Sequence, residues 1–162
     1  MTHTVDATSF RDALARFASG VTVVSARGVD GADQGMTVSA FSSLSLTPPL
    51  VIACVDLTAT VLPHLRGAEH FGVSILASGQ EAISARFAEH GVDRFAGVAR
   101  IHSPEGVPLI DGAVAHLVCR RAAEHPGGDH VILVGEVLSA TVYDGAPLIY
   151  VNRRYARVQP DR

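Results

Sequence analysis

The sequence predicts a mainly β fold, an antiparallel barrel with short helices at its periphery. Apolar and β-branched runs that are typical of strands occur at six or more places, with turn residues between them. Helical periodicity is confined to short stretches near the start of the chain and between strands. Strands and helices never alternate regularly, which argues against a parallel doubly wound sheet.

The first element is predicted to be a helix. Residues 1–5 are expected to form a loose tail, and Thr8 or Ser9 can cap the helix N-terminus. Phe10, Leu14 and Phe17 fall on one face of the helix. The helix is expected to close at Gly20. A strand at 21–26 and a turn-rich loop at 28–35 then lead into a hairpin.

The stretch 36–56, MTVSAFSSLSLTPPLVIACVD, holds the most distinctive pattern. Five hydroxyl residues fall within 37–45. We interpret the stretch as two buried strands joined by a turn at Pro48-Pro49, with small hydroxyls on one face of the first. A buried hydroxyl without a partner costs ~1–3 kcal/mol, which favours a small polar ligand such as a phosphate or a flavin edge. A half-exposed strand with its hydroxyls in water explains the pattern equally well.

The later elements follow the same reasoning. Helices are predicted at 61–67 and 79–90, strands at 70–76, 97–103, 113–121 and 130–143, an irregular connection at 105–111, a hairpin turn at 124–129 and a final strand pair at 147–158. Gly135, inside the longest strand, predicts a bulge or a tight bend.

Composition and motifs exclude several classes of protein. The 162 residues suit one domain, and 48% apolar with 18% charged residues indicates surface buried against a partner subunit. A net charge of −3 without a large basic cluster argues against nucleic acid. The chain has no signal peptide and no apolar run near the about 20 residues of a membrane span, so we expect a cytoplasmic protein without membrane contact.

Common nucleotide, hydrolase and metal motifs are missing. The chain has neither G-x-G-x-x-G after a strand nor G-x-x-x-x-G-K-[ST], and G-x-S-x-G is absent. The eight histidines form no H-x-H or H-x-x-x-H pair, so no metal site is predicted. The hydroxyl-rich backbone that remains suits a neutral ring system and a phosphate.

Five segments resemble, in order and approximate spacing, those of the short-chain flavin reductases, the reductase components of two-component flavin-dependent monooxygenases. They are residues 10–24 (FRDALARFASGVTVV), 36–56, 87–98, 128–137 (GDHVILVGEV) and 147–155 (PLIYVNRRY). The resemblance covers roughly residues 10–158. It implies an FMN-binding split β-barrel that forms a homodimer with flavin at the interface.

The resemblance also implies a flavin site. Its expected contacts are Met36, Thr37, Val38, Ser39, Ala40, Ser42 and Ser43 for the flavin, and Cys54, Val55, Asp56, Thr58 and Thr60 for the ribityl chain and phosphate. Small side chains at Ser39 and Ala40 would let backbone N–H groups approach the ring edge and stabilise negative charge there. The alternative for Thr58 and Thr60 is helix capping alone.

Two more segments are implied beside the flavin. Phe87, Ala88, Arg94 and Phe95 match the family element at the flavin tail, and Tyr150, Arg154 and Tyr155 match the C-terminal element that flanks the pocket. Arg94 would bind the phosphate or adenosine, or else be a solvated partner of Asp93 or Glu89. Val151 and Asn152 stand where many members carry His-Arg, and packing roles for the two tyrosines are equally consistent.

His130, in the GDH motif, is the predicted catalytic residue near the flavin ring and the nicotinamide. A histidine there can donate to a reduced flavin, orient the nicotinamide or merely cap a turn. Hydride transfer needs alignment more than proton transfer, so His130 is not expected to be an obligate acid.

We therefore predict an NAD(P)H-dependent flavin reductase that passes hydride from NADH or NADPH to FMN or FAD and supplies a partner monooxygenase. One alternative is a non-catalytic flavin-binding or carrier protein of the same fold. Another is an enzyme acting on a different small substrate, as in the pyridoxamine-phosphate oxidases, against which the lack of an evident basic cluster argues. The sequence does not distinguish FMN from FAD, or NADH from NADPH.

Overall fold

The computed structural model describes residues 4–159. Of the predicted tail, residues 1–3 lie outside this range, and residues 4 and 5 form no helix or strand. The helices are α1 (Ala7–Leu14), α2 (Leu62–Gly67) and α3 (Glu81–Ala88). The strands are β1 (Ser19–Gly20), β2 (Thr22–Arg27), β3 (Asp33–Val38), β4 (Phe41–Leu46), β5 (Pro49–Asp56), β6 (His70–Ile75), β7 (Arg100–His102), β8 (Pro108–Ile110), β9 (Ala115–Gly127), β10 (His130–Val142), β11 (Ile149–Val151) and β12 (Arg154–Ala156).

Seven antiparallel strands form the main sheet, in the order β3-β2-β6-β9-β10-β5-β4. Its longest hairpin joins β9 and β10, which have 13 residues each. A three-stranded sheet, β1-β11-β12, and a two-stranded sheet, β7-β8, lie beside it. The predicted mainly β, antiparallel class with short helices is therefore confirmed.

The stretch 36–56 contains a break that the sequence analysis missed. A single strand was predicted before Pro48, but β3 ends at Val38 and β4 begins at Phe41. The two strands lie at opposite edges of the main sheet, joined only by Ser39 and Ala40. At this crossing the Cys54 N–H donates to the Ala40 carbonyl at 2.9 Å, which ties the connection to β5.

Helix α1 begins earlier and is shorter than predicted. Asp6 is the N-cap instead of Thr8 or Ser9, because its Oδ1 accepts from the N–H groups of both, at 3.0 and 2.9 Å. The helix ends at Leu14, so the predicted end at Gly20 is wrong. Gly20 instead pairs with β11 as part of β1.

Three connections also differ from the prediction. Residues 105–111 contain β8, which pairs with β7 and is buried at all three positions. Its Pro108 carbonyl accepts from the Ser25 hydroxyl at 2.5 Å. The predicted turns at 28–35 and 124–129 are shorter than expected, since β3 starts at Asp33 and β9 continues to Gly127.

Strand β2 lies at the centre of the core and is buried on both faces. Val24 and Ala26 belong to a cluster with α2, β5, β6 and β10. Val23 belongs to a second cluster with Phe87 of α3, together with Val21 directly before the strand. Successive side chains of a strand point to opposite faces, so one short strand supports both clusters. Each fully buried valine contributes ~1.5–3 kcal/mol of transfer free energy.

Gly135 lies at an irregularity in the β9–β10 ladder, where the register shifts between Val134 and Gly135. The predicted bulge is therefore confirmed. A Cβ at Gly135 would lie 2.9 Å from the Cys119 Cβ and even closer to the Phe71 ring. The glycine is required by this close approach of a neighbouring ring.

None of the helices within residues 4–159 is both long enough and apolar enough to cross a bilayer.

We expect Gly135→Ala to lower the free energy of unfolding by ~1–3 kcal/mol, because the added methyl overpacks the core against Phe71 and Cys119. Urea unfolding monitored by circular dichroism measures the change. Gly127→Ala is the matched control on the same hairpin, since a Cβ there meets its nearest atoms at 3.4 Å, an ordinary contact distance. Equal stability of the two variants would contradict this account of the bulge.

Candidate functional site

The predicted site residues surround two grooves at opposite ends of β3. The serine groove lies at the Ser39–Ala40 crossing and has a volume of about 570 Å³. The arginine groove lies at the Asp33 end of the strand and has a volume of about 820 Å³. Ser39, Ala40, Ser42, Cys54 and Tyr150 line the serine groove, and Thr60, Arg94 and Phe95 line the arginine groove.

The serine groove combines free backbone donors with an apolar wall. Within residues 4–159, neither the Ser39 nor the Ala40 N–H donates to an acceptor. The opposite wall comes from α1 and the segment after it, through Phe10, Leu14 and Phe17. All three side chains are exposed, and α1 has no buried residue in the single chain. A flat aromatic ring with hydrogen-bond acceptors along one edge fits this combination.

Several predicted contacts have side chains that face the core. Val38, Val55 and Phe87 are buried, and the Phe87 ring packs edge-to-face on Phe95 at 4.8 Å between centroids. The Thr37 hydroxyl donates to the Ser84 carbonyl at 2.6 Å. Met36 packs against the core. The side chains of Val38, Val55 and Phe87 are therefore not available to a ligand, whereas Met36 and Thr37 are partly exposed.

The end of β5 meets the start of β10 beside the serine groove. Asp56 pairs with His130 across the ladder. One Asp56 carboxylate oxygen accepts from both the N–H and the hydroxyl of Thr58, at 2.6 Å each. The Thr58 hydrogen bonds, and more weakly the nearby His130, lower the pKa of Asp56. The carboxylate therefore stays ionised and orders the turn toward α2.

His130 is half-buried and has one ring nitrogen engaged. Its Nδ1 lies 2.7 Å from the Asp129 carboxylate. An Nδ1–H held by a carboxylate leaves Nε2 as the nitrogen that faces other groups. His130 therefore has a defined ring orientation at the mouth of the hairpin.

Arg94 is held by backbone carbonyls. Its Nε donates to the Glu89 carbonyl at 2.8 Å and its guanidinium donates to the Gly35 carbonyl at 2.9 Å. Partial burial lowers the pKa of Arg94. The alternative pairing of Arg94 with the carboxylates of Asp93 or Glu89 is not formed, since its hydrogen bonds go to backbone carbonyls. Its predicted role as the phosphate or adenosine partner stays a prediction.

The remaining predicted residues lie around the C-terminal strands and the groove rims. Tyr155 donates to the Ser84 hydroxyl at 2.9 Å, and its ring lies 5.5 Å from that of Tyr150. Ser43, Ala88 and Arg154 are exposed. The turn between β11 and β12 holds Asn152 and Arg153 at φ of 51° and 60°. This left-handed turn docks on α1, since the Asn152 N–H donates to the Ala15 carbonyl at 2.7 Å.

The sequence analysis missed four charged residues of the arginine groove: Arg27, Asp33, Arg100 and His102. Arg27 and Asp33 face each other across the β2–β3 hairpin. This pair could have been predicted from the sequence if the register of the hairpin had been assigned. Arg100 and His102 have no local signal, because they reach Asp33 from β7. Among the described residues, no three potential metal ligands converge.

Fold and grooves together define an antiparallel β protein able to hold an elongated, partly anionic ligand along one strand. The chain belongs to the family described as flavin reductase like domain, whose model matches residues 14–159.

Similar proteins and structures agree with this membership. The chain is 48% identical over 155 residues to the 4-hydroxyphenylacetate 3-monooxygenase reductase component of Thermus thermophilus, covering 93% of this chain and 95% of that protein. It is 44% identical to the FMN reductase (NADH) SmoA of Agrobacterium fabrum, with 92% and 84% coverage. The structure of the NADH:FAD oxidoreductase SgcE6 of Streptomyces globisporus, in complex with NAD and FAD fragments, matches with a TM-score of 0.91 at 40% identity, covering 96% of this chain and 94% of that chain.

We expect the two cysteines to differ sharply in reactivity toward iodoacetamide at neutral pH. Burial raises the pKa of Cys119 to about 12, whereas Cys54 is half-buried at the serine groove. The thiolate is the nucleophile, so the native protein should be alkylated at Cys54 alone. Peptide mass mapping measures this, with Cys54→Ser as the control and urea-unfolded protein as the reference. Alkylation of native Cys119 would contradict the burial described here.

Proposed function

We propose that this protein is an NAD(P)H:flavin oxidoreductase that binds FMN or FAD along β3 and supplies the reduced flavin to a partner monooxygenase. The observation that carries the proposal is the pair of N–H groups at Ser39 and Ala40, which donate to no acceptor within residues 4–159 and belong to residues that line a groove with an apolar wall. Two relatives support it, since one is named a monooxygenase reductase component and another an FMN reductase (NADH).

The flavin would supply a two-electron acceptor for hydride from the nicotinamide. The Ser39 and Ala40 N–H groups would hold the polar edge of the ring and stabilise the negative charge that develops there on reduction. Phe10, Leu14 and Phe17 would cover the ring and lower the local water content, which strengthens those hydrogen bonds. Thr58 and Thr60, beyond the end of β5, would offer hydroxyls to the phosphate.

His130 would act as a positioning group at the hydride-transfer site. Asp129 holds Nδ1, so Nε2 is the nitrogen available to the ring or to the nicotinamide. Orientation of two reactants within about 3–3.5 Å supplies much of the acceleration of a bimolecular transfer. The alternative from the sequence, turn capping alone, would leave the rate unchanged when His130 is removed.

We further propose that the chain forms a homodimer and that its main sheet closes into a split barrel. Exposed apolar side chains cluster on two neighbouring elements: Phe10, Leu14 and Phe17 on and after α1, and Leu44 and Leu46 on β4. Exposed apolar side chains in this number favour an interface that covers them. The cytoplasmic location predicted from the sequence stays a prediction.

We expect the purified chain to oxidise NADH or NADPH at a rate that rises with added FMN or FAD, followed by nucleotide absorbance. His130→Ala should lower kcat by ~10–100-fold, because the reacting atoms lose their alignment. The flavin dissociation constant should change little. His125→Ala, on the neighbouring strand β9, is the matched control and should behave as wild type. No flavin-dependent rate with either nucleotide would defeat the proposed function.

We expect light scattering to give a particle mass near twice the 17.0 kDa of one chain. Leu46→Asp should shift the protein toward the monomer, because a carboxylate replaces an apolar side chain that is 92% exposed on β4. Val29→Asp is the control, since Val29 is also exposed, at 72%, but lies in the β2–β3 turn. A wild-type monomer at all concentrations tested would contradict the homodimer.

A further inference from the structure

The arginine groove is organised around one buried carboxylate. The Asp33 side chain is 6% exposed and lies 2.5 Å from Arg100 Nε, 3.0 Å from His102 Nε2 and 3.7 Å from the Arg27 guanidinium. One carboxylate therefore holds three potentially cationic side chains from two separate parts of the chain. Removing a partner from such a carboxylate is strongly unfavourable, so the cluster is a built feature of the fold.

The arginine groove has more guanidinium groups than carboxylates, so some of its hydrogen-bond donors are not paired with an acidic side chain. Its lining carries the guanidinium groups of Arg27, Arg94 and Arg100, against the carboxylates of Asp33 and Asp93. The Arg27 side chain is 56% exposed and donates no hydrogen bond within residues 4–159. A guanidinium binds a phosphate through two parallel hydrogen bonds and also stacks on aromatic rings. The groove thus fits a ligand segment with both phosphate and a flat base.

Its position relative to the serine groove limits which ligand can reach it. Gly35 borders the arginine groove and Ser39 borders the serine groove, four residues apart along the extended chain, or ~13 Å. A flavin mononucleotide ends at its single phosphate, next to the ribityl chain. A flavin dinucleotide continues through a second phosphate to an adenosine, which is the segment that the arginine groove fits.

We propose that the arginine groove binds the adenosine-diphosphate end of FAD and that Arg27 and Arg100 make this chain prefer FAD to FMN. The inference rests on the proposed function, because the isoalloxazine ring has to occupy the serine groove. Arg100 already lies over the ring of Phe95, another lining residue of the groove, with 5.0 Å between its Cζ and the ring centroid. Arg27 has only the long 3.7 Å ion pair with Asp33 and is 56% exposed, so its guanidinium has donors available for the phosphates.

Fluorescence titration of the full-length chain with FAD and with FMN tests the proposal. Wild type should bind FAD at least about tenfold more tightly, since a hydrogen bond to a charged group supplies a factor of that size. Arg27→Ala and Arg100→Ala should each weaken FAD by about tenfold and change the dissociation constant for FMN by less than twofold. Arg27→Ala is the decisive variant, because in it the Asp33 carboxylate still pairs with Arg100 and His102 and is not left without a partner. Arg157→Ala, outside both grooves, is the control.

The competing source of the same chemistry is the adenosine-diphosphate end of the nicotinamide nucleotide. A rise in the KM for NADH in Arg27→Ala, with FAD affinity unchanged, would overturn the proposal in favour of that ligand. Equal affinity of wild type for the two flavins would also overturn it. Slower alkylation of Cys54 in saturating FMN would show that the serine groove is still occupied, so the proposed function would survive. No protection by either flavin would overturn both.

Discussion

The connection through Ser39 and Ala40 is the constraint on which the rest of the structure depends. The strands that it joins follow one another in the chain but lie at opposite edges of the seven-stranded sheet. Val38 and Phe41 are three Cα–Cα steps apart, at most about 11 Å. The end of β3 therefore lies close to the start of β4, although the two strands are the outermost of the sheet. At the crossing the backbone leaves the ladder, and within residues 4–159 the Ser39 and Ala40 N–H groups donate to no acceptor, although both carbonyls accept a hydrogen bond.

The hydroxyls near this connection divide into two groups with different physical roles. Thr22 donates to the Val38 carbonyl and Thr37 to the Ser84 carbonyl, at 2.6 Å each. Such buried hydroxyls are satisfied within the protein and avoid the ~1–3 kcal/mol cost of an unpaired group. Ser39 and Ser42 are exposed at the groove. Only this second group is available for recognition, so the density of hydroxyls in the sequence overstated the size of the site.

Strand β3 also separates two chemical environments. At its Ser39 end the surface is apolar with neutral N–H donors, and at its Asp33 end guanidinium groups surround a buried carboxylate. A rigid strand holds the two at a constant spacing, which an elongated ligand with a flat ring at one end and phosphates toward the other can match. In the proposed function, the reaction chemistry and the recognition of the ligand tail would take place at different ends of one element.

The sequence by itself determined the features that depend on neighbours within a few residues. Strands β2, β5 and β6, helix α2 and the bulge at Gly135 follow from local periodicity and from a glycine, and the ordered segments identified the family. The tertiary structure alone decided the break at Ser39 and Ala40, because apolar and hydroxyl residues continue on both sides of it. It alone placed Arg100 and His102 against Asp33, from 67 and 69 residues away. Local propensity carries no information about such contacts, since they join residues that are remote in the chain and meet only in the folded protein.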